Sequence, residues 1–467
     1  MTFALLTASL LAATSGWSAP GDAAPAALPI PAPPPGKAGG ADPQIRHELY
    51  TLPNGLQVLL VPDSTVPLVA VSVWYHVGSG HETFGKSGFA HLFEHMLFQG
   101  SKNVGMDRHF DILKKAGSSM VNGTTNLDRT NYYAVVPSHH LETALWLESD
   151  RMGHLLPLLT TKSLRNQIDV VRNERRQRYD NVPYGLGRMH LASALYPDSH
   201  PYRYLTIGRH EDLERASLED VVAFYKTWYV PANATLAIGG DFDVAATKAL
   251  VTKWFGAFPA SDKPKLLPVP PPVVTARELV QSDALAKLRM LQLAWISPAN
   301  YAADDAELDL AANALGDEGT GRLYRILVHE RQLAQSVSAT QLGAGFSGVF
   351  SINVMLRPEA DVDEVRRLVA QEVERIAREP LGARELARAV IAFESSALYG
   401  LEDLLGRVER LQGYNHYLGS PDRMTWDLDR YRTTTAERVR AAVARHLAPT
   451  RMVSVLTKPA AAQDKTP

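Results

Sequence analysis

The order of short apolar runs in this chain is written twice, and that repetition constrains the fold more than any single motif. In the first half, residues 49–61 read as a hairpin turning at Asn54-Gly55, and residues 69–77 as a strand. A short apolar helix and a second helix near 107–116 follow. Two strands around Gly123, a run of helices to about Trp228, a strand at 234–239 and a helix at 245–255 complete the half. The second half repeats the outline, with a strand at 288–296, a helix at 304–315, and paired strands at 335–342 and 348–356. Helices then run to about Leu447, before a last strand at 452–456. Between the halves, residues 259–272 end in Pro268-Val-Pro-Pro-Pro272 and show no helical period, which marks a linker. The expected class is α+β, a duplicated unit giving two homologous α/β-sandwich halves. The first spans 44–258, the linker 259–274 and the second 275–458.

Chemistry concentrates in the first half, in Gly88-Phe-Ala-His-Leu-Phe-Glu-His-Met-Leu-Phe98. His91 and His95, spaced i and i+4, stand about one turn apart on one helical face, so both can chelate one metal ion. Glu94 points to the same side, within reach of a water on that ion. The pattern is the inverted zinc-peptidase motif, His-x-x-Glu-His. A catalytic zinc wants three protein ligands and an open position. With no cysteine in the chain, the third must be an acid or a histidine from another helix. Residues 163–179 supply a candidate: Leu164, Ile168 and Val171 form an apolar stripe, and Glu174 follows at its edge. A charge there is costly unless something positive meets it, and the alternative is a solvated acid among arginines.

Further text extends the pattern. Val77-Gly-Ser79 precedes the motif and Met96-Leu-Phe-Gln-Gly100 follows it; Asn122-Gly-Thr-Thr125 leads to Asp128-Arg-Thr-Asn-Tyr-Tyr133, and His200-Pro-Tyr202 to Ile207-Gly208. With these stretches the chain resembles the insulinase/pitrilysin family of zinc peptidases, over about residues 44–458. The likeness is to the zinc-bearing subunit of bacterial two-subunit members and to the processing peptidase β subunit. The resemblance implies one zinc ion per chain on His91, His95 and Glu174, with Glu94 as general base, and hence metal-assisted hydrolysis of peptides or unfolded segments. It implies that Asn122 and Gly123 lie on an edge strand to which an extended peptide adds as a further strand. Gly123 stands where the family usually has alanine, and Gln167 where it often has a second glutamate. The resemblance also implies that the halves build half of a clam-like chamber.

In the second half, Leu308-Asp-Leu-Ala-Ala-Asn-Ala-Leu315 holds no histidine, so only the first half is the metal half. Family members that act alone, and the partners of two-chain members, carry an Arg and a Tyr after text like Gly321-Arg-Leu-Tyr-Arg-Ile-Leu327. The matching positions here are Val328 and Gln335. The expected assembly is therefore a heterodimer whose homologous partner supplies that pair. The rival expectation is a non-catalytic structural or assembly subunit of the same fold; retention of Glu94, which a structural metal does not need, speaks for turnover.

The rest of the sequence bounds the partners. A net charge of −2 over 467 residues gives no electrostatic reason to expect nucleic acid, and clusters such as Arg175-Arg-Gln-Arg178 read as solvated helix faces. No apolar run is long enough for stable membrane insertion. Residues 1–24 read as a signal peptide, with an apolar core at 3–13 but no positive charge ahead of it. The expected location is therefore periplasmic or secreted. Residues 25–43, rich in Pro, Ala and Gly, read as a disordered tether, and 459–467 as a disordered tail.

Overall fold

Alternation along the strands decides which layer each side chain joins. In a computed structural model, residues 42–460 are described except Pro268 and Pro271; the expected signal peptide, nearly all of the tether and most of the tail lie outside the described residues. The first half contains β1 (Glu48–Thr51), β2 (Gln57–Pro62), β3 (Leu68–Tyr75), β4 (Met120–Thr125), β5 (Thr130–Pro137) and β6 (Ala234–Gly240). They form one sheet in the order β1-β2-β6-β3-β5-β4. The second contains β7 (Arg277–Asp283), β8 (Met290–Ser297), β9 (Ala334–Leu342), β10 (Gly348–Leu356) and β11 (Val453–Pro459), in the order β7-β11-β8-β10-β9. Without β1 the two orders are the same, down to one parallel pair in each, β2 with β6 and β7 with β11. Strand β7 was not anticipated from the sequence. Its run Arg-Glu-Leu-Val-Gln-Ser-Asp lies at a sheet edge with four of its seven residues exposed, so it lacks the apolar signal of the inner strands.

Each sheet is covered on one face by helices of its own half and on the other by a helix of the opposite half. On β2, Val58 and Leu60 join the first half's own core, whereas Leu59 and Val61 face the helix Leu404–Leu418 through Leu404, Leu405 and Val408. In return, the helix Gly185–Leu195 lays Leu191, Ala194 and Leu195 on Val453, Val455 and Ala294 of the second sheet. Burial on both faces explains why β3, Leu-Val-Ala-Val-Ser-Val-Trp-Tyr, is buried at seven of its eight positions and so apolar. The borrowed helix sits close: a Cβ on Gly239 would stand 2.3 Å from Val408 Cγ2.

Polar groups inside that contact are matched rather than excluded. Gln412 donates to the carbonyls of Ser72 (3.2 Å) and Thr235 (3.1 Å). The Glu409 carboxyl accepts from Trp74 Nε1 (3.1 Å) and Asn131 Nδ2 (2.7 Å), as well as from Ser72. Asp128, in the β4–β5 turn, accepts from Tyr202 (2.6 Å), Tyr417 (3.1 Å) and the backbone of Gly345 (3.0 Å). It thereby ties the β4 hairpin both to the borrowed helix and to the β9–β10 turn. Such buried networks fix one arrangement, because a lost partner strands a desolvated group.

Candidate functional site

The histidine helix, Phe89–Met96, is seated from both ends of its local sequence. Leu92, Phe93 and Met96 enter the core, with Phe93 stacked on Phe224, Tyr225 and Tyr229, and this burial turns His91, Glu94 and His95 to the opposite side. No side chain caps the helix from its N-cap, Gly88. The buried Glu82 does so from outside, accepting from the backbone of Gly88 and of Ala90, each at 2.8 Å. Gly88 and Gly208 both adopt left-handed backbones and pass so closely that a Cβ on Gly208 would stand 2.5 Å from Gly88 Cα. This close pass packs the Ile207-Gly208 turn against the start of the motif helix.

The helix Thr161–Arg175 lies alongside, opened by a reciprocal cap between Thr160 and Ser163 and packed through Leu164, Ile168 and Val171. Its last turn brings Glu174 to the histidines, with Oε2 3.0 Å from His95 Nε2 and 3.5 Å from His91 Nε2. The three ligand atoms lie within 4.8 Å of one another. Among the described residues this is the one group of three or more His, Asp or Glu side chains placed to share a metal ion. The second half's counterpart, Asp305–Gly316, has no such group: Asp305 is paired with Arg430 (3.2 Å) and Glu307 with Arg438.

Electrostatics puts His91 and Glu174 in a metal-ready form. Burial holds the His91 imidazole down at about 4, against the opposing pull of Glu174, so it is neutral at neutral pH. For Glu174, burial pushes upward but is outweighed by the His95 hydrogen bond and by His91, His95 and Arg178; the carboxyl sits at about 2. Two imidazoles and a carboxylate make a donor set suited to zinc. Glu94 points beside them, its carboxyl raised by burial against the hydrogen bond from Thr125 Oγ1 (2.7 Å).

Thr125 belongs to β4, which pairs with β5 alone among the described residues and so presents an open edge. Asn122 is exposed on that strand, opposite Tyr133. Gly123 is buried with its back to the site: a Cβ there would stand 2.9 Å from Phe98 Cε2 and 3.2 Å from Glu94 Cγ. An alanine at 123 would therefore press on the side chain that carries the candidate base.

Several contributors were not announced by the sequence. Glu82 acts through hydrogen bonds across a loop, and Thr125 through one from β4 to the motif helix. The reading of Arg175–Arg178 as a solvated face holds for Arg176, Gln177 and Arg178, which are exposed, and needs correction at Arg175. Arg175 is largely buried, donating to the Gly208 carbonyl (3.2 Å) and facing Asp180 (3.6 Å), and Arg178 Nε lies 3.0 Å from Glu174 Oε1. Arg178 lies four residues after Glu174, the ordinary spacing of helical neighbours, and the helix passes into a π-helical turn at Arg176–Asp180.

Buried ionisable groups also set a pH dependence for the whole fold. Burial pushes Glu82 up to about 8, against its backbone hydrogen bonds, and Glu148 up to about 7, against Arg151, from an ordinary 4.5. Each native carboxyl keeps a proton that the unfolded chain has already released, so its contribution is full below pH 4.5 and is lost as pH rises through 7 and 8. Buried His76 and His81, held at about 3 and about 4 from 6.5, act with the opposite sign, and only below 6.5. The thermal unfolding midpoint should therefore fall from pH 6.5 to pH 8, with a shallower fall in Glu82→Gln. A midpoint rising across that interval would contradict the assignment.

Comparison with known proteins agrees with this architecture. The sequence profile of the insulinase family, peptidase family M16, matches residues 57–203, and the profile described as the peptidase M16 inactive domain matches 215–393. The chain is 29% identical over 362 residues to the zinc protease PqqE of Helicobacter pylori, covering 76% of this chain and 80% of that protein. It is 30% identical over 405 residues to an uncharacterized zinc protease of Mycobacterium bovis, covering 85% and 90%. The crystal structure of a protease from Helicobacter pylori superposes with a TM-score of 0.81 at 26% identity, covering 89% of this chain and 99% of that one. By sequence and fold alike, the chain belongs to the insulinase family of peptidases, M16.

Proposed function

We propose that this chain is a zinc-dependent endopeptidase and the metal-bearing subunit of a heterodimer. The observation that carries the reading is the convergence of His91 Nε2, His95 Nε2 and Glu174 Oε2 within 4.8 Å, with Glu94 held beside them. A bound zinc ion supplies Lewis acidity to the scissile carbonyl and lowers the pKa of a water. The protein's own groups do the rest. His91 and His95 donate through their imidazole nitrogens, and Arg178 orients the Glu174 carboxylate by occupying its other oxygen. The Glu94 carboxylate takes the water's proton and returns it to the leaving nitrogen; its raised pKa brings it nearer neutrality, where such a shuttle works best. The open edge of β4, at Asn122 and Gly123, receives the substrate backbone as an added strand.

The heterodimer reading draws on the second half. Val328 is half-buried in the π-helical turn Tyr324–Glu330, and Gln335 is exposed on β9. Of the nearby arginines, Arg325 is paired with Glu330 (3.3 Å) and Arg331 with Glu364 (3.5 Å). The partner supplies the Arg/Tyr pair and closes the chamber. Export to the periplasm or medium is supported by the apolar N-terminal stretch; among the described residues no helix is long and apolar enough to cross a membrane. The second reading, a non-catalytic assembly subunit, is favoured by the match to a profile described as inactive. That match begins at residue 215, beyond His91, Glu94, His95 and Glu174.

The test is hydrolysis of quenched fluorescent peptides by the zinc-loaded chain, before and after chelation. Cleavage that stops on chelation and returns with zinc supports the reading. Stoichiometric zinc binding without cleavage, alone or with co-purifying homologous chains, would favour the assembly subunit.

A further inference from the structure

Two arginines after Glu174 lack a carboxylate partner outside the candidate metal ligands, which their neighbours have. Arg172 is paired with Glu214 (3.0 Å) and Arg175 with Asp180 (3.6 Å). Arg178 has only Glu174, through Nε, and its side chain is 71% exposed. Arg188, exposed at the start of the helix Gly185–Leu195, donates to the Arg178 carbonyl (3.1 Å) and lies over the Tyr179 ring at 5.3 Å. Among the described residues no carboxylate pairs with Arg188. Once a divalent ion occupies the histidines and Glu174, the two carboxylates Glu94 and Glu174 balance that ion alone. The Arg178 guanidinium, 3.0 Å from Glu174, is then left over beside the site, and Arg188 adds a second exposed guanidinium over Tyr179. This local excess stands on a chain whose net charge is −2, so it is a feature of the site and not of the whole surface.

We propose that Arg178 and Arg188 make the site select peptides carrying an acidic side chain close to the scissile bond. The proposal rests on the peptidase reading above and names its substrate class. A guanidinium presents a planar fork that matches a carboxylate, and with Nε engaged Arg178 still has both terminal nitrogens to offer. Arg178 is a positioning residue for Glu174 as well, so Arg188 carries the cleaner test. Because both groups are exposed, the preference is modest, roughly three- to tenfold, and weakens with salt.

The experiment uses labelled peptides identical except for one Glu, Gln or Lys, placed in turn at each position around the cut. Binding to the zinc-loaded Glu94→Gln chain is read by fluorescence anisotropy at low and high salt, and cleavage of the same peptides by the unaltered chain is read in parallel. The expected order at one or more positions is Glu tightest, then Gln, then Lys. The order should flatten at high salt and in Arg188→Ala, and reverse in Arg188→Glu. No order at any position, or an order indifferent to Arg188→Glu, overturns the proposal, even if the peptides are cleaved. Acid-selective binding without any cleavage, by the chain alone or with its co-purifying homologous chain, upholds it and overturns the catalytic reading, whereas absence of both binding and cleavage in both preparations overturns both.

Discussion

Glu94→Gln is expected to lose peptide hydrolysis by roughly a hundredfold to ten-thousandfold while retaining zinc. Glutamine has the same shape and keeps an oxygen for the Thr125 hydroxyl, which now donates at 2.7 Å, so the side chain stays beside Gly123. What disappears is the group that accepts and returns a proton. His91, His95 and Glu174 are untouched, so metal content measured by elemental analysis should match the unaltered chain. Turnover within a few-fold of normal would remove Glu94 from the mechanism. Loss of zinc would instead mean that Glu94 serves the metal itself, a different chemistry from the one argued above.

Gly208→Val is expected to be nearly as damaging, although residue 208 touches neither metal ligand nor substrate. Its backbone has φ +70°, a region β-branched residues avoid, and its Cβ would stand 2.5 Å from both N and Cα of Gly88. Backbone cannot yield as a side chain can. Strain and overpacking together cost about 2–5 kcal/mol. Relief comes from pushing Gly88 away and with it the first turn of the helix bearing His91. The measurement is zinc affinity by competition with a chelator, alongside the thermal midpoint. Unchanged affinity with a lowered midpoint would show that the turn supports the fold generally and does not position the histidines.

The legible part of the molecule was the part written in local periods. The 3.6-residue stripe of Leu164, Ile168 and Val171 announces the helix that carries Glu174, and the spacing of His91 and His95 announces their shared face. The repeated strand order follows from alternation and turn residues, and the second sheet reproduces the first. Illegible were features that depend on distant chain. Leu59 and Val61 read as one side of a buried strand, but nothing near them says that their cover comes from residues 404–418. The polar edge strand β7 looks like loop because its ladder partner, β11, lies almost at the other end of the second half.

The exchange of helices between the halves has a consequence for how this molecule comes into being. When synthesis or export has delivered residue 258, the first half has its strands and its own helices but still lacks the cover for one side of its sheet. That cover arrives only with residues 404–418. The first half must wait, with Leu59, Val61 and Ala237 in water, until most of the second has been made. Cutting the gene at the proline-rich stretch would thus yield two polypeptides that are each sticky alone. Produced together, they hold matching covers for one another and should associate into a single working unit.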